Sequence, residues 1–125
     1  MLISNNENNT SFKEVLNSIL NEDQYNKGER AWLLYLQDHR EYIIERSKLV
    51  EITPNEMAYY KYRIRKYLLY KGYNSNYDKI FRIINRLPQD IQFNENVTSV
   101  YLPDSTVIAE LRRSYQTLKT QILKM

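Results

Sequence analysis

The chain has 125 residues, 42% of them hydrophobic and 26% charged, enough for one domain with its own core. Two glycines and three prolines argue against a loop-rich all-β fold, and the lack of cysteine excludes a disulfide framework, a thiolate metal site and a cysteine nucleophile. The net charge of +3 is unevenly spread: residues 1–56 carry six basic and ten acidic side chains, residues 57–87 eight basic and one acidic, and residues 88–125 four of each.

Residues 1–9 are polar, Asn-rich and without periodicity, and read as a disordered tail ahead of a single helical domain at residues 10–125. No apolar segment suits a signal peptide or a membrane span, so a cytoplasmic or virion protein is expected, with no membrane partner. The frequent Asn, Lys, Ile and Tyr suggest an AT-rich genome such as those of low-GC bacteria and their phages.

Ser11 and Glu14 form a capping-box pattern. Phe12, Val15, Leu16, Ile19 and Leu20 follow at helical spacing, which predicts a short first helix ending near Asn21. A second helix is expected from Asp23 or Gly28 to about Lys48, with Trp32, Tyr35, Leu36, His39 and Ile43 on its apolar side. The third has the strongest start signal: Thr53 as N-cap, Pro54 at the first helical position and Glu56 to complete a capping box. Gly72 supplies its stop. Read as one helix over 54–71, it turns Met57, Tyr60, Ile64, Tyr67 and Leu68 inward and Tyr59, Tyr62, Arg63, Lys66 and Tyr70 outward.

A fourth helix after Asn74-Ser75-Asn76 carries the stripe Tyr77, Ile80, Phe81, Ile84 and Leu87 and closes at Pro88. The alternation at Ile91-Gln92-Phe93, the turn chemistry at Asn94-Glu95-Asn96 and the β-rich residues 97–102 allow a small hairpin or an irregular loop. A last helix begins after Pro103, with Asp104 as N-cap. Its heptad-like stripe is Ile108, Leu111, Tyr115, Leu118, Ile122 and Met125. The expected fold is therefore all-α: a compact bundle of four to five helices, with a possible small β-hairpin near residues 91–102. Its core is read as Trp32, Leu36, Ile43, Met57, Ile64, Leu68, Ile80, Phe81, Ile84, Leu111 and Leu118.

Catalytic signals are poor, and no enzyme is expected. The single histidine, His39, lies on an apolar arc and reads as a partly buried structural residue. Glu41 and Glu45 share a face near Arg40 and Lys48 and read as a solvated stripe. No Gly-rich phosphate loop and no metal-ligand spacing is present, so no cofactor and no metal is assigned.

The unusual feature is residues 59–73, with six tyrosines, five lysines or arginines and no acid. Tyrosine offers a large contact area with a polar tip, which suits a surface covered on assembly. The expected function is a non-enzymatic interaction or structural protein, a small helical subunit of a larger assembly, with a phage virion component or accessory protein as one fit. Its partner would be another protein or copies of itself, met through Tyr59, Tyr62, Arg63, Lys66, Tyr70, Lys79, Arg82 and Arg86. The apolar stripe of the last helix is a second candidate docking surface. The alternative is nucleic-acid binding by the same basic, tyrosine-rich helix and the helix after it, with cations on phosphates and tyrosines on unpaired bases.

Overall fold

The computed structural model describes residues 27–124. The tail read at 1–9, the helix read from Ser11 and the stripe residue Met125 lie outside the described residues. Within them the chain forms six α-helices and one two-stranded antiparallel sheet.

The helix expected up to Lys48 is divided. Helix α1 (Lys27–Asp38) ends at His39, and α2 (Arg40–Glu45) follows. The His39 amide is shared between the carbonyls of Tyr35 and Leu36, each at 3.1 Å, which marks the local change of pitch. Beyond it, Arg40 reaches α5 (Asp78–Asn85) and donates to the carbonyls of Ile83 and Ile84 at 3.3 and 2.7 Å. Those are end-of-helix carbonyls that lack partners within their own helix.

The expected helix end at Lys48 instead opens strand β1 (Lys48–Glu51). It pairs with β2 (Ser99–Leu102) in the register Lys48↔Leu102 to Glu51↔Ser99. The sequence expectation of β structure at 97–102 is met, but the partner is this distant strand. Residues Asp90–Gln92 instead make a 3-10 turn, closed by reciprocal bonds between Gln89 and Gln92. The pairing places Val100 and Leu102 in the interior, which a local hairpin with 91–93 would not require.

The expected helix over 54–71 is two helices, α3 (Pro54–Tyr60) and α4 (Ile64–Tyr70). The Thr53–Glu56 capping box starts the first as read. Lys61 at φ −48°, ψ 129° and Tyr62 at φ 65° then form a type II turn, closed by the Arg63 amide on the Tyr60 carbonyl at 2.8 Å. That geometry favours glycine at the Tyr62 position. What holds it here is tertiary: the Tyr62 amide donates to the Phe93 carbonyl at 2.9 Å. Gly72, at φ 93°, ends α4 with a Schellman pair, Tyr73 N–H on Leu68 and Gly72 N–H on Leu69.

Helix α5 follows a 3-10 turn at Ser75–Tyr77, and α6 (Ser105–Leu123) is capped by the Asp104 carboxylate. Two apolar clusters fill the interior. One joins α1, α2, α5 and α6 around Tyr35, Leu36, Ile43, Leu111 and Tyr115. The other joins the sheet, α3 and α4 around Ile64, Tyr67, Leu68, Phe93 and Val100. Helix α5 serves both, with Ile80 and Ile84 in the first and Phe81 in the second. Nine of the eleven expected core residues are buried; Trp32 and Leu118 are half-buried against the first cluster. The α6 stripe read as a candidate docking surface packs within the chain at Ile108, Leu111, Tyr115 and Ile122.

Candidate interaction face

The break after Tyr60 does not hide the outward residues. Tyr59 at the end of α3 is 68% exposed, Tyr62 in the turn 47%, and Tyr70 on α4 53%. Arg63, Lys66 and Tyr70 follow one another three and four residues apart, so they share a side of α4. Leu69, 61% exposed beside Tyr70, belongs to this face although the tyrosine–cation pattern did not select it. Its signal was its spacing, three and four residues after Lys66 and Arg65.

The exposed rings are braced from below. Tyr59 meets half-buried Tyr60 edge-on with centroids 4.8 Å apart, and Tyr70 stacks on Tyr60 at 4.9 Å. Tyr60 leans on Tyr67, which leans on Phe93 at 5.2 Å. Tyr70 is also held at its tip, where its hydroxyl donates to the Glu56 carboxylate. Glu56 in turn accepts the Thr53 amide at 2.9 Å and lies 3.4 Å from Lys71. The Thr53 amide chiefly, with Tyr70 and Lys71, holds Glu56 below the usual carboxylate range, and that carboxylate pushes the Tyr70 hydroxyl up. A face whose side chains are already fixed loses less entropy when a partner covers it.

The basic block is largely neutralised within the fold. Lys61 pairs with Glu95 at 2.7 Å, Lys71 with Glu56, Lys79 with Glu29, and Arg65 with Asp78 at 3.2 Å. Arg82 lies 2.8 Å from both Asp78 and Asp90 and also donates to the Pro88 carbonyl. Burial works against the Arg82 charge, and the two carboxylates more than offset it. Asp78 is itself buried, so this pair is an internal tie. Of the eight cations in residues 57–87, only Arg63, Lys66 and Arg86 touch no carboxylate among the described residues.

The structure therefore brings Tyr59 and Tyr70 together across Tyr60, spaces Arg63 and Lys66 along the side of α4 that carries Tyr70, leaves Tyr62 exposed in the preceding turn, and engages Lys79 and Arg82 elsewhere. Arg86 sits past the end of α5 in the left-handed conformation and lines a separate groove with Gln37, Arg40 and Pro88. The residues weighed for catalysis are placed as follows. His39 is half-buried, with Nδ1 2.8 Å from the Tyr35 carbonyl, so that nitrogen carries a hydrogen. Glu41 and Glu45 are exposed beside Arg40 and Arg46. Among the described residues no three His, Cys, Asp or Glu side chains are grouped to hold a metal, and no helix is long and apolar enough to cross a membrane.

No family model, curated protein or solved structure matches this chain.

Proposed function

We propose that the chain is a non-enzymatic interaction protein, a small helical subunit that docks on another protein through Tyr59, Tyr62, Leu69 and Tyr70, with Arg63 and Lys66 at the rim. The observation that carries this reading is the contrast on one segment. Four large apolar or aromatic side chains stand about half or more exposed, two of them (Tyr59 and Tyr70) braced on the Tyr60 ring, while most neighbouring cations are bound to the chain's own carboxylates. Tyr and Arg are favoured at protein interfaces, and braced aromatic anchors are the usual energetic centre of one.

The test is recovery of co-purifying protein after cross-linking in the native source, comparing the wild type with a Tyr59→Ser, Tyr70→Ser double variant. Both positions are exposed, so the variant keeps its fold. The same partner should be lost from the variant. Equal recovery from both, together with a strictly monomeric sedimentation profile at high concentration, would remove the support for this face.

Nucleic-acid binding is the second reading, favoured by Arg63 and Lys66, which touch no carboxylate among the described residues, beside three exposed tyrosines. Engagement of these two cations and Arg86 would give a slope of log K against log salt of about −3, at roughly −0.9 per phosphate neutralised. Titration of single- and double-stranded oligonucleotides at two salt concentrations reads this directly. On the protein-docking reading, no binding is expected at physiological salt.

A further inference from the structure

The two edges of the small sheet are not equivalent. The Ile52 amide donates to the Thr98 carbonyl at 2.9 Å. That position exchanges bonds across the sheet, and so, by alternation, do Val50↔Val100 and Lys48↔Leu102. Leu49 and Glu51 on β1, and Ser99 and Tyr101 on β2, must then turn their backbone groups away from the partner strand. The Tyr101 contacts agree. Its amide donates to the Asn85 side-chain oxygen at 2.7 Å, and its carbonyl accepts from the Asn85 side-chain nitrogen at 2.9 Å. Helix α5 thus closes the outer edge of β2 at Tyr101 with one side-chain amide that mimics a strand.

Among the described residues nothing does this for β1. No group among the described residues bonds the outward amides and carbonyls of Leu49 and Glu51, and the Leu49 side chain is 59% exposed. An exposed row of unpaired backbone groups is a template for another strand. The charge around it is specific. Lys48, on the opposite face from Leu49, touches no carboxylate among the described residues. It lines a cleft of about 730 Å³ together with Arg46, Lys71 and Thr106. The one acid in that lining, Asp104, has its carboxylate on the amides of Thr106 and Val107.

We propose that β1 is a docking edge for an extended segment of a partner protein, added antiparallel as a third strand, with an acidic residue opposite Lys48 and an apolar one opposite Leu49. The outward backbone groups supply the bonds, and Lys48, the cation of that cleft with no carboxylate beside it among the described residues, selects the acid. This surface is distinct from the tyrosine face. A second copy of the chain fits less well. Antiparallel pairing must set outward residues against outward residues, so Lys48 can never stand opposite Glu51 of another copy.

The probe is a short capped peptide with the core Thr-Val-Ile-Asp, read by amide NMR of the full chain. The Leu49 and Glu51 amides are expected to shift and gain exchange protection, while the Tyr101 amide, already bound by Asn85, stays in place. Replacing the peptide's Asp with Lys should weaken binding roughly tenfold, as a matched pair becomes a like-charge contact. Glu51→Pro removes an amide that the fold does not use, and should weaken binding to a similar extent without moving the urea midpoint. If that variant unfolds, methylation of the peptide backbone nitrogens tests the same bonds from the other side, with the same loss expected. The proposal is overturned if the peptide leaves the Leu49 and Glu51 amides unmoved at millimolar concentration, or if the Lys peptide binds equally well. It is also overturned if those amides become protected with rising protein concentration alone, which would give the edge to a second copy.

Discussion

At the residue scale the sharpest local conflict is Tyr67. Its side chain is fully buried among Tyr60, Tyr70, Phe81 and Phe93, and its hydroxyl has no hydrogen-bond partner among the described residues. Burial first, then the nearby Glu56 carboxylate and Tyr70, push that hydroxyl well above the ordinary tyrosine range. A buried donor without an acceptor costs about 1–3 kcal/mol relative to water, whereas an apolar group of the same shape costs nothing comparable. Tyr67→Phe is therefore expected to raise the stability of the chain by about 1 kcal/mol, read as a higher urea midpoint at unchanged slope. A lower midpoint would show that the hydroxyl makes a bond in solution. Tyr67 was assigned inward by helical spacing alone, and that assignment was sound because α4 is regular around it.

At the element scale, what could be read from the sequence was what neighbouring residues encode together. The Thr53–Glu56 box, the Gly72 stop, the Asn74 start and the Asp104 cap all lie within one turn of the helix end they govern. The breaks were not legible, because distant groups fix them: Phe93 holds the turn at Tyr62, and Arg40 is drawn to the end of α5. Strand β1 was hidden for the same reason: its partner β2 lies far along the chain, so no local turn announces the pairing. Tyr59 and Tyr70 stay outward because α3 and α4 each keep their own periodicity, whereas Lys79 and Arg82 read as free cations until Glu29, Asp78 and Asp90 were placed beside them. The end of α5 offers a test of such local encoding. Arg86 takes φ 55° at a Schellman end where glycine is the usual residue, and its side chain touches no carboxylate. Arg86→Gly should stabilise the chain by about 0.5–1 kcal/mol, measured by urea unfolding, because the left-handed strain outweighs the added freedom of the unfolded chain.

At the scale of the whole molecule, the question is whether the two apolar clusters form one cooperative unit. Helix α5 contributes Ile80 and Ile84 to one and Phe81 to the other, so neither can open without disturbing it. Tyrosine ionisation tests this. Burial chiefly raises Tyr35 and Tyr115 in the first cluster and Tyr67 and Tyr73 in the second. The sign follows from proton counting. Above the ordinary tyrosine value of about 10 the unfolded chain releases protons that the folded chain keeps, so the unfolded state binds fewer. Stability is then complete below about pH 10 and falls as pH rises, by up to about 1.4 kcal/mol per pH unit for each such tyrosine. The single tryptophan, Trp32, packs on the first cluster, while tyrosinate absorbance reports on both. Fluorescence is expected to coincide with the absorbance step of the buried tyrosines, which follows that of exposed tyrosines such as Tyr59 and Tyr62, and Tyr67→Phe should move both to higher pH together. Tryptophan signal that changes at a different pH from the absorbance would mean that the clusters unfold separately, and that α5 joins them in space without coupling them in energy.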